Sequence, residues 1–149
     1  MRAGLPGAVG VMLAIAGGTC ALAQGAACKK ADFEAVVDEA AAALRALNLQ
    51  NTPQFQARLR QLKDKRGWSH EQFLAGAAPF VRDDAIAGYD QKSEDFLASI
   101  TSAGQSQATA ASLNCGLLSG LRVSLASLVE TQKAKWAYMF DKIDGELRK

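Results

Sequence analysis

The chain has 149 residues, 49% hydrophobic side chains and a formal net charge of +2. This length suits one domain with a single modest core. A near-neutral charge gives no electrostatic basis for binding nucleic acid, which needs a strongly basic surface, so we expect no nucleic-acid partner. Alanine is abundant, and only three prolines and 7% aromatic residues are present, a composition that favours helix throughout.

The first 23 residues predict a secretory signal peptide. Arg2 gives a positive start, residues 8–16 form an unbroken apolar run, and an Ala-Leu-Ala sequence ending at Ala23 is typical of a cleavage site. The run is too short to predict a membrane span. Cleavage after Ala23 leaves residues 24–149 as a single helical domain, whose formal charge is +1 once Arg2 is lost. We therefore expect a periplasmic or secreted protein.

Two cysteines, Cys28 and Cys115, remain after that cleavage. An oxidising compartment and a single possible intramolecular pairing predict a disulfide between them. A thiol-redox role is the less favoured interpretation, because the two cysteines are far apart in sequence. Lipid attachment at Cys28 stays open as an alternative, although it calls for a bulky aliphatic residue three positions earlier, where Gly25 stands.

The N-terminal half predicts two helices separated by a break. One apolar stripe with steps of three and four residues marks the first helix. Its members are Phe33, Val36, Val37, Ala40, Leu44 and Leu47. Residues 48–51 interrupt the stripe, and Thr52 followed by Pro53 is a typical helix start. Gly67 is the residue expected just after the second helix ends, because glycine readily takes a left-handed conformation.

A capping box predicts the next helix start, with Ser69 as the N-cap and Gln72 as its partner. Trp68 is placed to pack on Phe73 as a hydrophobic staple. Pro79 predicts a break or kink one residue earlier. A further helix is expected over about residues 80–102, in one piece or two. Its inner side carries Val81, Ala85, Tyr89, Phe96 and Ile100.

The C-terminal third predicts one long helix, over about residues 107–147. Its apolar side chains fall in a band about 120° wide. They are Leu118, Leu121, Leu125, Leu128, Val129, Trp136, Met139, Phe140, Ile143 and Leu147, with Gln132 as the one polar member. Gly116 and Gly120 indicate a close approach by another helix. The predicted fold is all-α: a small helical bundle with a long C-terminal helix, closed by one disulfide.

A basic cluster is the strongest candidate binding surface in the sequence. Its five residues are Arg58, Arg60, Lys63, Lys65 and Arg66. It suits an acidic protein, an anionic lipid headgroup or a cell-wall polymer. The alternative is an ordinary charged helix surface, since cations are favoured near a helix C-terminus.

No pattern in the sequence predicts catalytic, cofactor-binding or metal-ligating residues. His70 is the only histidine, and a zinc site needs several histidine or cysteine ligands. The acidic residues between Asp83 and Asp95 lack calcium-loop spacing and are expected to form a solvated face. Tyr138 is expected to be the exposed aromatic residue of the last helix, because it points away from Trp136.

Three functions are compatible with these features. The first is an exported, non-enzymatic interaction protein with a protein partner in the envelope, such as an adaptor, inhibitor, chaperone-like protein or sensor partner; peripheral membrane contact is also compatible. The second is a bundle that binds a small apolar ligand, which a large cavity under Trp136 and Phe96 would favour. The third is an enzyme of unidentified type. The sequence carries no signal for an oligomeric state.

Overall fold

The computed structural model describes residues 27–149, which form four helices and no strand. The helices are α1 (Lys30–Arg66), α2 (His70–Val81), α3 (Asp84–Ala108) and α4 (Cys115–Arg148). The predicted all-α fold with a long C-terminal helix is confirmed. Within these residues, no helix is both long and apolar enough to cross a bilayer. The predicted signal peptide and its cleavage site after Ala23 lie outside the described residues.

The two long helices, α1 and α4, run parallel. Cys28, just before α1, is disulfide-bonded to Cys115, the first residue of α4. At the opposite end of the pair, Arg66 lies 2.8 Å from Glu146. Because a helix rises about 1.5 Å per residue, this side-by-side contact extends over about 50 Å. The predicted disulfide therefore joins the starts of two parallel helices.

Helix α3 runs antiparallel to α4 on another side of it. At the start of α3, Asp83 pairs with Lys142 near the end of α4. Towards the end of α3, the Ser99 hydroxyl lies 3.5 Å from that of Ser124, in the first half of α4. Helix α4 is consequently the central element, against which both α1 and α3 pack.

The core follows the apolar stripe of α4, as the sequence predicts. The buried side chains of this helix are Leu118, Leu121, Leu125, Leu128, Val129, Met139 and Ile143. Gln132, the polar member of the stripe, donates from Nε2 to the buried Ser93 hydroxyl at 2.8 Å. That hydroxyl donates in turn to the Tyr89 carbonyl at 2.9 Å. A hydrogen-bonded amide costs little in the core, whereas an unpaired one would destabilise it.

The predicted break at residues 48–51 is wrong, because α1 continues through Pro53 as one helix of 37 residues. A proline inside a helix costs about 3 kcal/mol. Phe55 and Leu62 follow it and are both buried in the core, and full burial of such a side chain contributes about 1.5–3 kcal/mol. Their packing against α4 therefore offsets the cost of Pro53. Leu49, whose carbonyl loses its hydrogen bond, is an exposed residue.

The break expected near Ala78 is also misplaced. Helix α2 continues through Pro79 to Val81 and ends at Arg82, whose backbone is extended. The next helix begins at Asp84 instead of residue 80 and is a single helix as far as Ala108. Val81 therefore ends α2 and is exposed, contrary to its predicted place on the inner side.

Several predictions for α3 and α4 also differ from the structure. Ala85 is exposed, and Ile86 and Ser93 are the buried residues of α3. The last helix begins at Cys115 instead of residue 107. A Cβ atom at Gly120 would meet no atom within 4 Å, so no helix approaches closely there.

The predicted junction between α1 and α2 is confirmed. Gly67 has φ 62°, which favours glycine, and the Trp68 N–H donates to the Lys63 carbonyl at 3.1 Å. The capping box is complete, with Ser69 and Gln72 bonded in both directions. The Trp68 ring lies so close to Gly76 that a Cβ there would be 2.6 Å from it. Trp68 therefore packs on Gly76 in the second turn of α2, and its contact with Phe73 stays a prediction.

Candidate functional site

An open apolar groove of about 710 Å³ lies at the disulfide end of the bundle. The first turns of α1 form one wall, and the end of α3 with the connection to α4 forms the other. Phe33 and Val37 line the first wall, Leu113 lines the connection, and Leu121 of α4 contributes to the floor. Val37 remains 43% exposed and Leu113 40% exposed, so water contacts large apolar side chains at this site.

Local hydrogen bonds hold the connection that forms the second wall. Gln107 donates from Nε2 to the Ser112 carbonyl at 3.3 Å and accepts from the Asn114 N–H at 3.0 Å. Asn114 caps α4 by accepting from the Gly116 N–H at 3.0 Å. The cap, typical of a helix start, and the Gln107 side chain together fix the position of Leu113. The sequence did not predict this wall, because the last helix was expected to begin at about Gln107 and so to include the residues of this connection.

The rim of the groove on the α1 side is charged. Lys30 and Glu34 form an ion pair at 3.3 Å, and Asp38 lines the groove one turn further on. Both partners of the ion pair are largely exposed, so it contributes little to stability. An apolar floor with a charged rim is the usual arrangement of a binding site in which apolar contact supplies affinity and polar groups orient the ligand.

No family model, curated protein or solved structure matches this chain. A function is therefore inferred from the groove and from the side chains around it.

The basic cluster of α1 lies against α4 instead of forming one free patch. Arg58 pairs with Asp144, and Arg66 pairs with Glu146 at 2.8 Å. Lys65 donates to the Leu147 carbonyl at 2.6 Å. The sequence did contain a signal for these contacts. The two cysteines are 87 residues apart and stand at the starts of two helices. A disulfide between them therefore places Arg58 close to Asp144 when the two helices are parallel.

Two members of the cluster remain on the outer side. Arg60 is exposed, and the Lys63 ammonium lies 5.9 Å from the centre of the Phe73 ring. A cation at this distance from an aromatic ring gains about 0.5–1 kcal/mol at exposed sites. Binding of an acidic partner here stays a prediction, now centred on Arg60 and Lys63.

Tyr138 is not the exposed aromatic residue that the sequence predicts. It is half-buried, and its hydroxyl donates to Asp83 Oδ2 at 2.7 Å. Lys142 donates to the same carboxylate, and the Ile86 N–H donates to its other oxygen at 2.8 Å. Asp83 thus caps α3 and ties it to α4. Asp90 pairs with Lys135 while its side chain stays 48% exposed, so of the expected solvated face only Asp83 is largely withdrawn from water.

The hydrogen bonds around Asp83 predict an acid-sensitive contribution to stability. Those from Lys142, the Ile86 N–H and Tyr138 lower the pKa of Asp83 from 3.8 to about 2. A lowered pKa in the folded state stabilises the fold above the unfolded pKa, and this stabilisation is lost as pH falls from about 4 towards 2. Asp83→Asn should therefore lower the melting temperature at pH 7, with a difference from wild type that shrinks below pH 4.

Thermal melts followed by circular dichroism between pH 7 and pH 2 measure this difference. Asp84→Asn is the matched control, because Asp84 is the exposed neighbour in the first turn of α3, and it should change the melting temperature little. A difference for Asp83→Asn that stays constant down to pH 2 would contradict the assignment.

His70 is exposed at the start of α2. Residues 27–149 hold no group of three or more histidine, cysteine or acidic side chains placed to bind a metal ion.

Trp136 packs against Phe55 with ring centres 5.9 Å apart. A ligand cavity under Trp136 would have favoured the second function. The groove at the disulfide end is therefore the cavity on which the functional interpretation is based.

Proposed function

We propose that this chain is an exported, non-enzymatic binding protein that holds an apolar segment of a protein partner in the groove. The exposure of Val37 and Leu113 in one concave site carries the proposal. Large apolar side chains that line a solvent-open groove with a polar rim are typical of interaction sites. Such a groove suits an amphipathic helix, which would place its apolar face against Leu121 and its polar face towards water.

Two features support action outside the cytoplasm. The disulfide between Cys28 and Cys115 is of a type that persists in oxidising compartments. The sequence before Cys28 predicts a signal peptide. The proposed setting is therefore the bacterial-type envelope or the exterior, where the groove would serve an adaptor, inhibitor, chaperone-like or sensor-partner role.

A small apolar ligand is the second candidate, favoured by the size of the groove. Its volume of about 710 Å³ lies within the range of about 300–1,000 Å³ that small-molecule sites occupy. The two candidates share one site and differ in the occupant.

Site-specific photo-crosslinking in the intact envelope tests the proposal. A photoreactive residue is placed at Val37 or at Leu113, on the two groove walls. The matched control is Val123, an apolar residue of α4 that is 64% exposed and does not line the groove. We expect both groove positions to label the same segment of one protein, and position 123 to leave it unlabelled.

Two other outcomes would change the conclusion. Equal labelling from all three positions would contradict a groove-specific interaction. Native mass spectrometry of the protein purified from its envelope would favour the second candidate if a small molecule stayed bound, and Leu113→Asp should then remove it.

A further inference from the structure

We propose that the Cys28–Cys115 disulfide controls the groove, and that its reduction frees the first turns of α1 and dismantles one wall. This regulation rests on the proposed function, because it acts on the same site. The bond joins the two walls at their base: α1 begins two residues after Cys28, and Leu113 lies two residues before Cys115. Cutting it would leave the α1 wall attached to the bundle through packing alone.

That packing is thin over the first ten residues of α1. The first buried residue of this helix is Ala40, at 7% exposure. Phe33 and Val36 are only half-buried, against the core cluster that Ala40 forms with Leu121, Leu125 and Val129. Segments with few buried apolar contacts open at low free energy, well before the whole molecule unfolds. Phe33 and Val37, which line the groove, lie within this segment.

Charged contacts do not replace the bond. Lys30 and Glu34 pair with each other within α1, with side chains 85% and 60% exposed. Asp32 accepts from the Lys29 N–H at 2.7 Å, which caps the helix locally. None of these contacts reaches α4, so they do not hold the first turns of α1 against it.

The α4 side of the bond is anchored more firmly. Leu118 is buried one turn after Cys115, and Leu121 and Leu125 follow it into the core. Reduction should therefore move the start of α1 and leave α4 in place. The result is a one-sided opening of the groove.

The bond is open to attack by a dithiol, such as a dithiol oxidoreductase of the envelope or dithiothreitol. Cys115 is exposed and Cys28 is half-buried. A thiolate of the reductant attacks the Cys28 sulfur and the Cys115 sulfur leaves as a thiolate. The positive end of the α4 helix dipole stabilises that thiolate. The Cys28 N–H, 3.1 Å from Cys115 Sγ, adds a hydrogen-bond donor.

The second thiol of the reductant then displaces Cys28 from the mixed disulfide. Both cysteines end as thiols, and the reductant ends as its own disulfide. Two electrons have passed from the reductant to the protein, and the thiolates take up protons from water.

Hydrogen exchange with mass spectrometry on the full chain tests the switch directly. Oxidised protein is compared with protein reduced by dithiothreitol, with a mass gain of two hydrogens as proof of complete reduction. We expect amides over residues 30–37 to lose their protection, with exchange faster by about tenfold or more. Amides around Leu62 and Ile143 should stay protected, at a level lowered only by the global loss of stability when the bond is cut. The variant with Cys28→Ser and Cys115→Ser is the control. It should resemble the reduced protein and not respond to dithiothreitol.

A second measurement separates the switch from the proposed function. Fluorescence of N-phenyl-1-naphthylamine, an apolar dye, reports whether the groove takes an apolar occupant. Binding by the oxidised form and loss on reduction would support both proposals. Lost protection without any dye binding would support the switch and count against the groove as a binding site. Unchanged protection at residues 30–37 after full reduction would overturn the switch, as would a complete loss of protection along the whole of α4.

Discussion

Replacing Cys28 and Cys115 together with serine is expected to lower the melting temperature by on the order of 15 °C. The bond spans 87 residues of sequence, and the chain-entropy description assigns such a loop about 4–5 kcal/mol of stability. A domain of this size has an unfolding entropy of about 2.1 cal/mol/K per residue, which converts that loss into a shift of this order. Thermal melts followed by circular dichroism measure it.

The reduced wild-type chain is the control for the serine side chains. If the bond alone is responsible, reduced wild type and the double-serine variant should melt within a few degrees of each other. An oxidised wild type that melts no higher than the variant would show that the bond adds no stability.

Ile143→Ala should cost about 3 kcal/mol of unfolding free energy, within the range of about 2–5 kcal/mol for truncating a buried isoleucine. Ile143 is 0% exposed. It belongs to the core cluster in which α1, α2 and α3 meet α4, together with Phe55, Phe80 and Ile86. A cavity at this point opens inside the cluster that all four helices share. Urea denaturation measures the loss.

Val123→Ala is the matched control, since Val123 belongs to the same helix but is 64% exposed. Its effect should stay within about 0.5 kcal/mol, as for most surface substitutions. Equal costs at the two positions would mean that the core does not close around Ile143.

Periodic patterns and local caps were predictable from the sequence, because their physics is local. The stripe of α4 needs only a repeat of three and four residues, and its members from Leu118 to Ile143 are buried or half-buried as expected. The Ser69 capping box and Gly67 depend on residues within one turn. The two cysteines had one possible pairing.

The prolines show where local reasoning fails. Pro53 and Pro79 both weaken a helix where they stand. Pro53 was expected to start a helix, and Pro79 to break or kink one. What decides the outcome lies elsewhere in the chain: Phe55, Leu62 and Phe80 bury their side chains beside α4. The stability that such distant contacts contribute to a helix is not visible in a single sequence.

The groove was unpredictable for a related reason. Its second wall depends on the point at which α3 ends, at Ala108, and the sequence around Gln107 is equally compatible with a new helix. The basic residues were visible, but the carboxylates of Asp144 and Glu146 come opposite them only in the parallel arrangement of α1 and α4. Once the cysteine pairing is known, the number of residues between the two cysteines predicts which residues of α1 and α4 lie side by side.

The parallel pair also determines how the molecule would carry mechanical load. A pulling force applied at Cys28 and at Lys149 passes through the disulfide directly into α4. The 86 residues between the two cysteines, which include α1, α2 and α3, lie in a closed loop outside that path. Helix α4, about 50 Å long, would carry the tension alone. The two walls of the groove would stay out of the line of tension for as long as the bond is intact.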